Sequence, residues 1–362
     1  MLAVVLVFVA IVGWSVGNAL TAPGGGSLSE RLAEWARDHD LGFVVTWGEE
    51  LTYKPPKAGG KPSFALTGPA DAPVKPSRHT TTAAPAPSPA PLRTLAGTHP
   101  LPGEGRWRVL ATVGGQPAIY GTYLRFSPIY TSYVGGIAWM NQSMLMFELR
   151  PGTEDPGPGN WHAQPDIAAG TRRGLLATFN SGFKIASSGG GFYLHGNYAG
   201  SLVRGEASVV YYRDGHIAIG NWDQTVRMTR DVVGVRQNLH LIVNHGHIPA
   251  NVNNAVSTSW GATLGGGYNV WRSGIGETRS GQIVFVYGPA LDVHELAQLL
   301  QRAGAYRAME LDINPAWMSF MYYLPKDHPA SPTPVNLLPD QEQPPNRYFY
   351  YSGRDFNAVY AR

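Results

Sequence analysis

Three groups of residues have types and spacings that could do chemistry. Met309-Glu310-Leu311-Asp312 alternates apolar with acidic, so on a strand Glu310 and Asp312 share one face. Two carboxylates so close repel, which can push their pKa values apart and suits acid/base work. A structural network with Arg272, Arg307 or Lys184 is the other reading. In Trp271-Arg272-Ser273-Gly274-Ile275-Gly276, the same alternation sets Arg272 beside two positions without side chains. A planar guanidinium over such a shelf suits a phosphate, and an edge strand with a glycine bulge has the same pattern. Finally, the buried-strand run Leu175 to Phe179 breaks at Asn180-Ser181-Gly182-Phe183-Lys184. Asn and Gly there make either a plain turn or a turn at which the backbone approaches a ligand.

Other chemistries have less behind them. The chain has no cysteine, which excludes disulfides, thiolate zinc sites and a cysteine nucleophile. His245-Gly246-His247, preceded by Asn244, reads as a hairpin turn more than as half a metal site. The glycine runs at 24–26, 189–191 and 265–267 lack the Lys-Ser/Thr of a phosphate loop, and no Gly-x-Ser-x-Gly elbow occurs. Neither a metal nor a cofactor is expected. A net charge of +3, scattered along the chain, leaves no nucleic-acid footprint. Trp260, Trp271 and Trp317 could line a sugar groove or fill a core.

The elements that must position these residues are mostly strands. Only 15% of residues are charged, while Gly (44) and Pro (29) are abundant, which excludes helical bundles and coiled coils. From Trp107 onward, short β-branched or aromatic runs alternate with Gly/Pro turns: 108–113, 118–124, 136–140, 144–149, 307–311, 347–351 and 356–360. Arg213-Asp214-Gly215 and Ser280-Gly281 join hairpins. One helix is expected, with Asp292 and Glu295 as its capping pair, Leu296, Leu299, Leu300 and Ala303 as its buried stripe, and Gly304 as its stop. The fold class is α+β, a single large mixed-sheet domain with few helices spanning 106–362.

Upstream, Leu2 to Leu20 carries no charge, and at about 1.5 Å per residue it comes close to the ~30 Å hydrocarbon thickness. Residues 1–22 are therefore expected to be a single-pass membrane anchor, a cleaved signal peptide being the rival reading. Ser27-Leu28-Ser29-Glu30 reads as a capping box for a short helix within 23–53. Residues 54–105 read as a Pro/Ala-rich linker, since twelve of the 29 prolines fall in 54–104.

The order of these motifs resembles the phosphodiester glycosidase family. That family shows an Asn-Gly-Gly-Phe/Tyr-Phe turn, an Arg-Thr-Ala-Ile-Gly strand, a hairpin and helix, and a Leu-Asp-Gly-Gly-Gly-Ser-Ser segment. The counterparts are Asn180-Ser181-Gly182-Phe183-Lys184, Arg272-Ser273-Gly274-Ile275-Gly276, the 292–303 helix and Leu311-Asp312-Ile313-Asn314-Pro315, so the resemblance covers roughly 171–325. It departs where Ile313-Asn314-Pro315-Ala316-Trp317 replaces the glycine-serine run, a bulkier loop with one N–H fewer at Pro315.

The resemblance implies a membrane-anchored, extracytoplasmic hydrolase that cleaves the anomeric bond of a sugar-1-phosphodiester in envelope glycan or glycolipid. Asp312 would be nucleophile or base and Glu310 its acid/base partner. Arg272, with Lys184, would bind phosphate, Asn180 would orient a hydroxyl or the phosphate, and Gly182 and Asn314 would complete the substrate contacts. The expected arrangement is a cleft with Arg272 and both acids at its rim. A non-catalytic glycan-binding or scaffolding protein of the same fold, and an ordinary glycosidase, remain the alternatives.

Overall fold

The computed structural model describes residues 2–21, 28, 31–32, 35–36, 39, 41, 54–67, 87–253, 259–261, 269–325 and 331–362. Apart from α1 (Leu2–Thr21), α2 (Val293–Arg302) and helical residues at 28, 31–32 and 35–36, its described regular structure is sheet with short 3-10 turns. One sheet runs, in spatial order, β1 (Arg108–Val113), β2 (Gln116–Leu124), β3 (Gly135–Met140), β13 (Ile283–Leu291), β12 (Val270–Thr278), β14 (Ala305–Glu310) and β11 (Leu241–Val243). A second runs β16 (Thr333–Asn336), β15 (Phe320–Leu324), β5 (Leu175–Asn180), β17 (Phe356–Ala361) and β4 (Leu145–Arg150). The third runs β7 (Asn197–Ala199), β6 (Phe192–Leu194), β10 (Val232–Gln237), β8 (Ala207–Tyr212) and β9 (Ile217–Asn221). Neighbouring strands in the three sheets pair antiparallel.

The first two sheets meet through aromatic side chains. Phe179 of β5 stacks on Phe320 of β15 at 5.9 Å and leans on Phe285 of β13 at 4.9 Å. All three are fully buried. The opposite face of the first sheet is covered by α2. Its capping box is complete: the Glu295 N–H donates to the Asp292 carboxylate at 2.7 Å, and the Asp292 N–H donates to the Glu295 carboxylate at 3.0 Å. Leu296, Leu299 and Leu300 point into the sheet. A Cβ on Gly274 would meet Leu300 and Leu296 at 2.9 and 3.3 Å, so glycine here lets the helix lie close on β12.

Two sequence expectations change. Residues 347–351, read as a strand, instead hold a 3-10 turn at Arg347–Phe349, because Tyr348 folds inward to stack on Phe356 at 4.2 Å. The stretch read as a spacer is partly seated on the domain. Leu66 is buried in the core, and Glu104 accepts from Arg125 Nη2 at 2.8 Å. These groups find partners in the domain, so at 54–67 and 87–105 composition is overridden by specific docking.

The expected capping box at Ser27–Glu30 lies largely outside the described residues. The apolar run at the amino terminus forms α1, although the side chains of residues 1–6 and 8 are outside the described set. Among the described residues no helix is long and apolar enough to cross a membrane.

Replacing Asp292 with Ala removes one half of the capping box and is expected to lower unfolding stability by about 1 kcal/mol. Urea denaturation would read this as a lower midpoint, and an unchanged midpoint would show that the cap does not hold α2.

Candidate active site

The motifs converge where β5 and β14 end and β12 begins. Ser273 is the hinge between them, pointing away from the helix-covered side of β12. Its hydroxyl accepts from Asn180 Nδ2 at 2.9 Å and from the Asp312 N–H at 3.1 Å. The Ser273 N–H donates to the Asp312 carbonyl at 2.9 Å, and the Leu311 N–H to the Ser273 carbonyl at 2.8 Å. Asn180 Oδ1 accepts from the Ser319 N–H at 3.2 Å, so this buried amide ties the turn after β5 to both neighbours.

Asn238, fully buried just past β10, closes the arrangement from the third sheet. Its Nδ2 donates to the Glu310 and Leu311 carbonyls at 2.9 and 3.1 Å, while its Oδ1 accepts from the Phe183 N–H at 3.1 Å. Gly182 is required by closeness: a Cβ there would stand 3.1 Å from Asn238 Oδ1 and 3.2 Å from Arg236 Cζ.

Glu310 and Asp312 take different partners. Glu310 is 0% exposed, and its Oε1 accepts from Arg272 Nη1 at 2.5 Å. Arg272, 2% exposed, also donates to the Leu291 and Trp260 carbonyls at 3.0 and 3.1 Å. The two thus form a sealed ion pair, and the expected rim position does not apply to them. Burial pushes the Glu310 carboxyl up to about 7, against the opposing pull of Arg272 and with a further push from Asp312.

Asp312 lies past the end of β14, where strict alternation no longer sets its direction. Its Oδ1 accepts from the Ile313 and Asn314 N–H groups at 2.7 and 3.0 Å, and its Oδ2 stands 3.9 Å from Arg354 Nη2. It is 3% exposed, so the expected rim position does not apply to it either, and it adjoins the half-exposed turn 313–316. Lys184 and Ile185, also half-exposed, lie just beyond Gly182, whose carbonyl accepts from Arg354 Nη2 at 3.2 Å. The two turns meet at Gly261, where φ is +88° and a Cβ would meet Ile313 at 2.6 Å and Phe183 at 2.9 Å.

The turn that replaces the family's glycine-serine run uses its own donors. The Ile313 and Asn314 N–H groups serve Asp312, the Ala316 N–H donates to Asn314 Oδ1 at 3.0 Å, and Pro315 has none. Asn314 therefore shapes the turn with its side chain.

Several residues at this centre escape the sequence reading. Arg354 bridges acids, standing 3.9 Å from both Asp312 and Asp155; its Nε has no hydrogen-bond partner among the described residues. Its guanidinium also lies 5.3 Å from the Trp317 ring centre, with that of Arg347 at 4.7 Å. Beside it, the buried Arg236 donates to Asp355 at 2.7 Å and stands 3.7 Å from Asp155. Burial and the neighbouring Asp355 carboxylate raise the Asp155 pKa, partly offset by Arg236 and Arg354. One signal was available: Arg236-Gln237-Asn238 ends an apolar strand with three polar residues, and Arg354-Asp355 immediately precedes another. Among the described residues no cluster of His, Asp and Glu could hold a metal ion.

This is a sheet-built α+β domain with a carboxylate–guanidinium centre at converging strand ends. Residues 174–312 match the phosphodiester glycosidase family, as the motif order implied, and the match points to a glycosidase-like hydrolase. The chain is similar in structure to the zebrafish N-acetylglucosamine-1-phosphodiester alpha-N-acetylglucosaminidase catalytic domain, described as auto-inhibited by its pro-peptide. Identity there is 13%, covering 71% of this chain and 88% of that one, with a TM-score of 0.41. It is also similar to a hypothetical protein from Synechocystis at 13% identity and a TM-score of 0.38, covering 70% of this chain and 65% of that one, just under two thirds. No curated protein matches it.

The Glu310 carboxyl sets a pH dependence with a definite sign. Its folded pKa, about 7, lies above its ordinary value of 4.5, so its contribution to stability is full below about 4.5 and is lost as pH rises through about 7. In Glu310→Gln that decline should disappear. Chemical denaturation at pH 5 and pH 8 is expected to show a smaller loss of stability for the variant than for the wild type, and equal losses would contradict the assignment.

Proposed function

We propose that the protein is a hydrolase that opens the anomeric bond of a sugar-1-phosphodiester, with Asp312 acting at the anomeric carbon as nucleophile or base. The seating of Asp312 carries this reading. Asp312 is the last residue of the matched segment; two backbone N–H groups just beyond it fix one of its oxygens, and a guanidinium stands beside the other. Fixed donors hold a reacting carboxylate in place before the reaction and spare it reorganisation at the transition state.

Roles follow from the packing. Arg354 takes the phosphodiester charge, the part that the sequence reading gave to Arg272 and Lys184; Lys184, on the half-exposed turn, remains a second cation for that phosphate. Asn180 acts through Ser273 by holding the strand ends, and Gly182 admits the close approach of the turn to Asn238. The sealed Glu310 holds Arg272 in register, and Asp155, whose pKa is raised, is the second carboxylate at Arg354. A phosphate monoester leaves readily, so a strongly placed general acid is less necessary than for an ordinary glycoside.

We further propose that α1 anchors the domain to the outer face of the cell membrane, with envelope glycan or glycolipid as its substrate. Val7, Val9, Ile11 and Trp14 on that helix are exposed, which in water leaves apolar area uncovered. The internally satisfied donors of the 313–316 turn favour a second reading, a glycan-binding member of the fold without turnover.

Assays on sugar-1-phosphodiesters separate the two readings. Asp312→Asn is expected to lower kcat by about a thousandfold, and Arg354→Gln to raise KM by about tenfold or more. Glycan binding by the wild type without turnover of any phosphodiester or glycoside would establish the second reading. Removal of residues 2–21 is expected to move the protein from the membrane fraction to the soluble one; continued sedimentation with membranes would remove the anchor role.

A further inference from the structure

One cavity lies away from Asp312. It encloses about 670 Å³ on the third sheet and is lined by Tyr193, His195, Tyr198, Arg213, Arg230 and neighbouring residues of 228–233. The two sites sit at opposite ends of β10. Val232 and Val233 line the cavity, whereas Arg236 and Asn238 belong to the acid–guanidinium centre. At about 3.3 Å per residue along a strand, roughly 10–20 Å separates these residues.

The lining combines one presented ring with cations. Tyr198 is 57% exposed and leans on Tyr193, with ring centres 4.8 Å apart and planes at 50°. The tilt makes a single platform and leaves no parallel slot for a flat base. Such a platform suits the apolar face of a sugar ring. Arg213 and Arg230 are both exposed and reach the cavity from the β8–β9 turn and the segment before β10. Of the nearby acids, Asp214 pairs with His216, while Asp231 stands 3.8 Å from Arg230 Nε in an exposed pair that solvent screens and an incoming anion has to displace. His195 contributes little charge near neutrality, because burial and the neighbouring His162 depress its pKa. Two guanidinium forks beside a tyrosine face match a sugar that carries a carboxylate or phosphate.

We propose that this cavity is an accessory binding site for an anionic glycan, separate from the Asp312 centre and independent of whether that centre is catalytic. Its function is to hold an acidic sugar chain on the third sheet.

Calorimetric titration of the full chain in detergent with a galacturonate hexamer tests this. Saturable binding is expected in both the wild type and Asp312→Asn, which separates this site from the hydrolase reading. Tyr198→Ala is expected to weaken binding by about tenfold. The pair Arg213→Gln and Arg230→Gln, both on the surface, should weaken it similarly and remove most of its salt dependence. Maltohexaose, uncharged, should bind much more weakly. The proposal is overturned if the hexamer gives no saturable binding, if both sets of variants with wild-type circular dichroism bind like the wild type, or if a dT oligomer binds in preference to it.

Discussion

One buried carboxamide joins the parts on which the site depends. Asn238, anchored beyond the third sheet, holds the Glu310 and Leu311 carbonyls of the first sheet and the Phe183 N–H that follows the second. Apolar packing of Phe179, Phe285 and Phe320 presses the first two sheets together but tolerates sliding, since it has little directional preference. Hydrogen bonds supply direction. Each is worth about 1 kcal/mol net, yet orphaning such groups in a dry interior costs about 1–3 kcal/mol. A slip of one residue would therefore cost far more than the bonds themselves contribute, and the strand ends stay in register.

The charges around this clamp divide by partner. Arg272 and Glu310 pair through Oε1 in a sealed layer beneath α2, where a lone charge would be expensive. Arg236 is likewise committed to Asp355 and the Phe183 carbonyl. Asp312 and Arg354 differ, because their closest charged atoms are 3.9 Å apart and Asp312 adjoins the half-exposed 313–316 turn. The ordered pairs fix the frame around Asp312 and Arg354, which are themselves buried.

Much of the frame was legible in the sequence because its signals are local. The alternation of β1 to β4, the Arg213-Asp214-Gly215 turn and the Asp292/Glu295 cap each depend on residues a few positions apart, and each forms as the pattern implies. The ordered series Asn180, Arg272 and Asp312 likewise identified strand ends that do meet. What local pattern could not convey was depth and partner choice. Alternation set Arg272 beside Gly274 and Gly276, and Glu310 beside Asp312, but it could not reveal that Arg272 and Glu310 pair under a helix, nor could it extend to Asp312 once the strand had ended. Arg354 and Asp155 stand about 200 positions apart and on either side of the matched segment, so only the closed sheets bring them together. The seating of Leu66 and Glu104 in a proline-rich stretch was hidden for the same reason.

The central claim is that the carboxylate of Asp312 meets the anomeric carbon while Arg354 holds the phosphate. A crystal structure of the Asp312→Asn protein with an intact sugar-1-phosphodiester tests it most directly. The account predicts the anomeric carbon within about 3.5 Å of the residue 312 side chain and a phosphate oxygen within hydrogen-bonding reach of Arg354. A ligand seated elsewhere, or one whose phosphate turns away from Arg354, would contradict it.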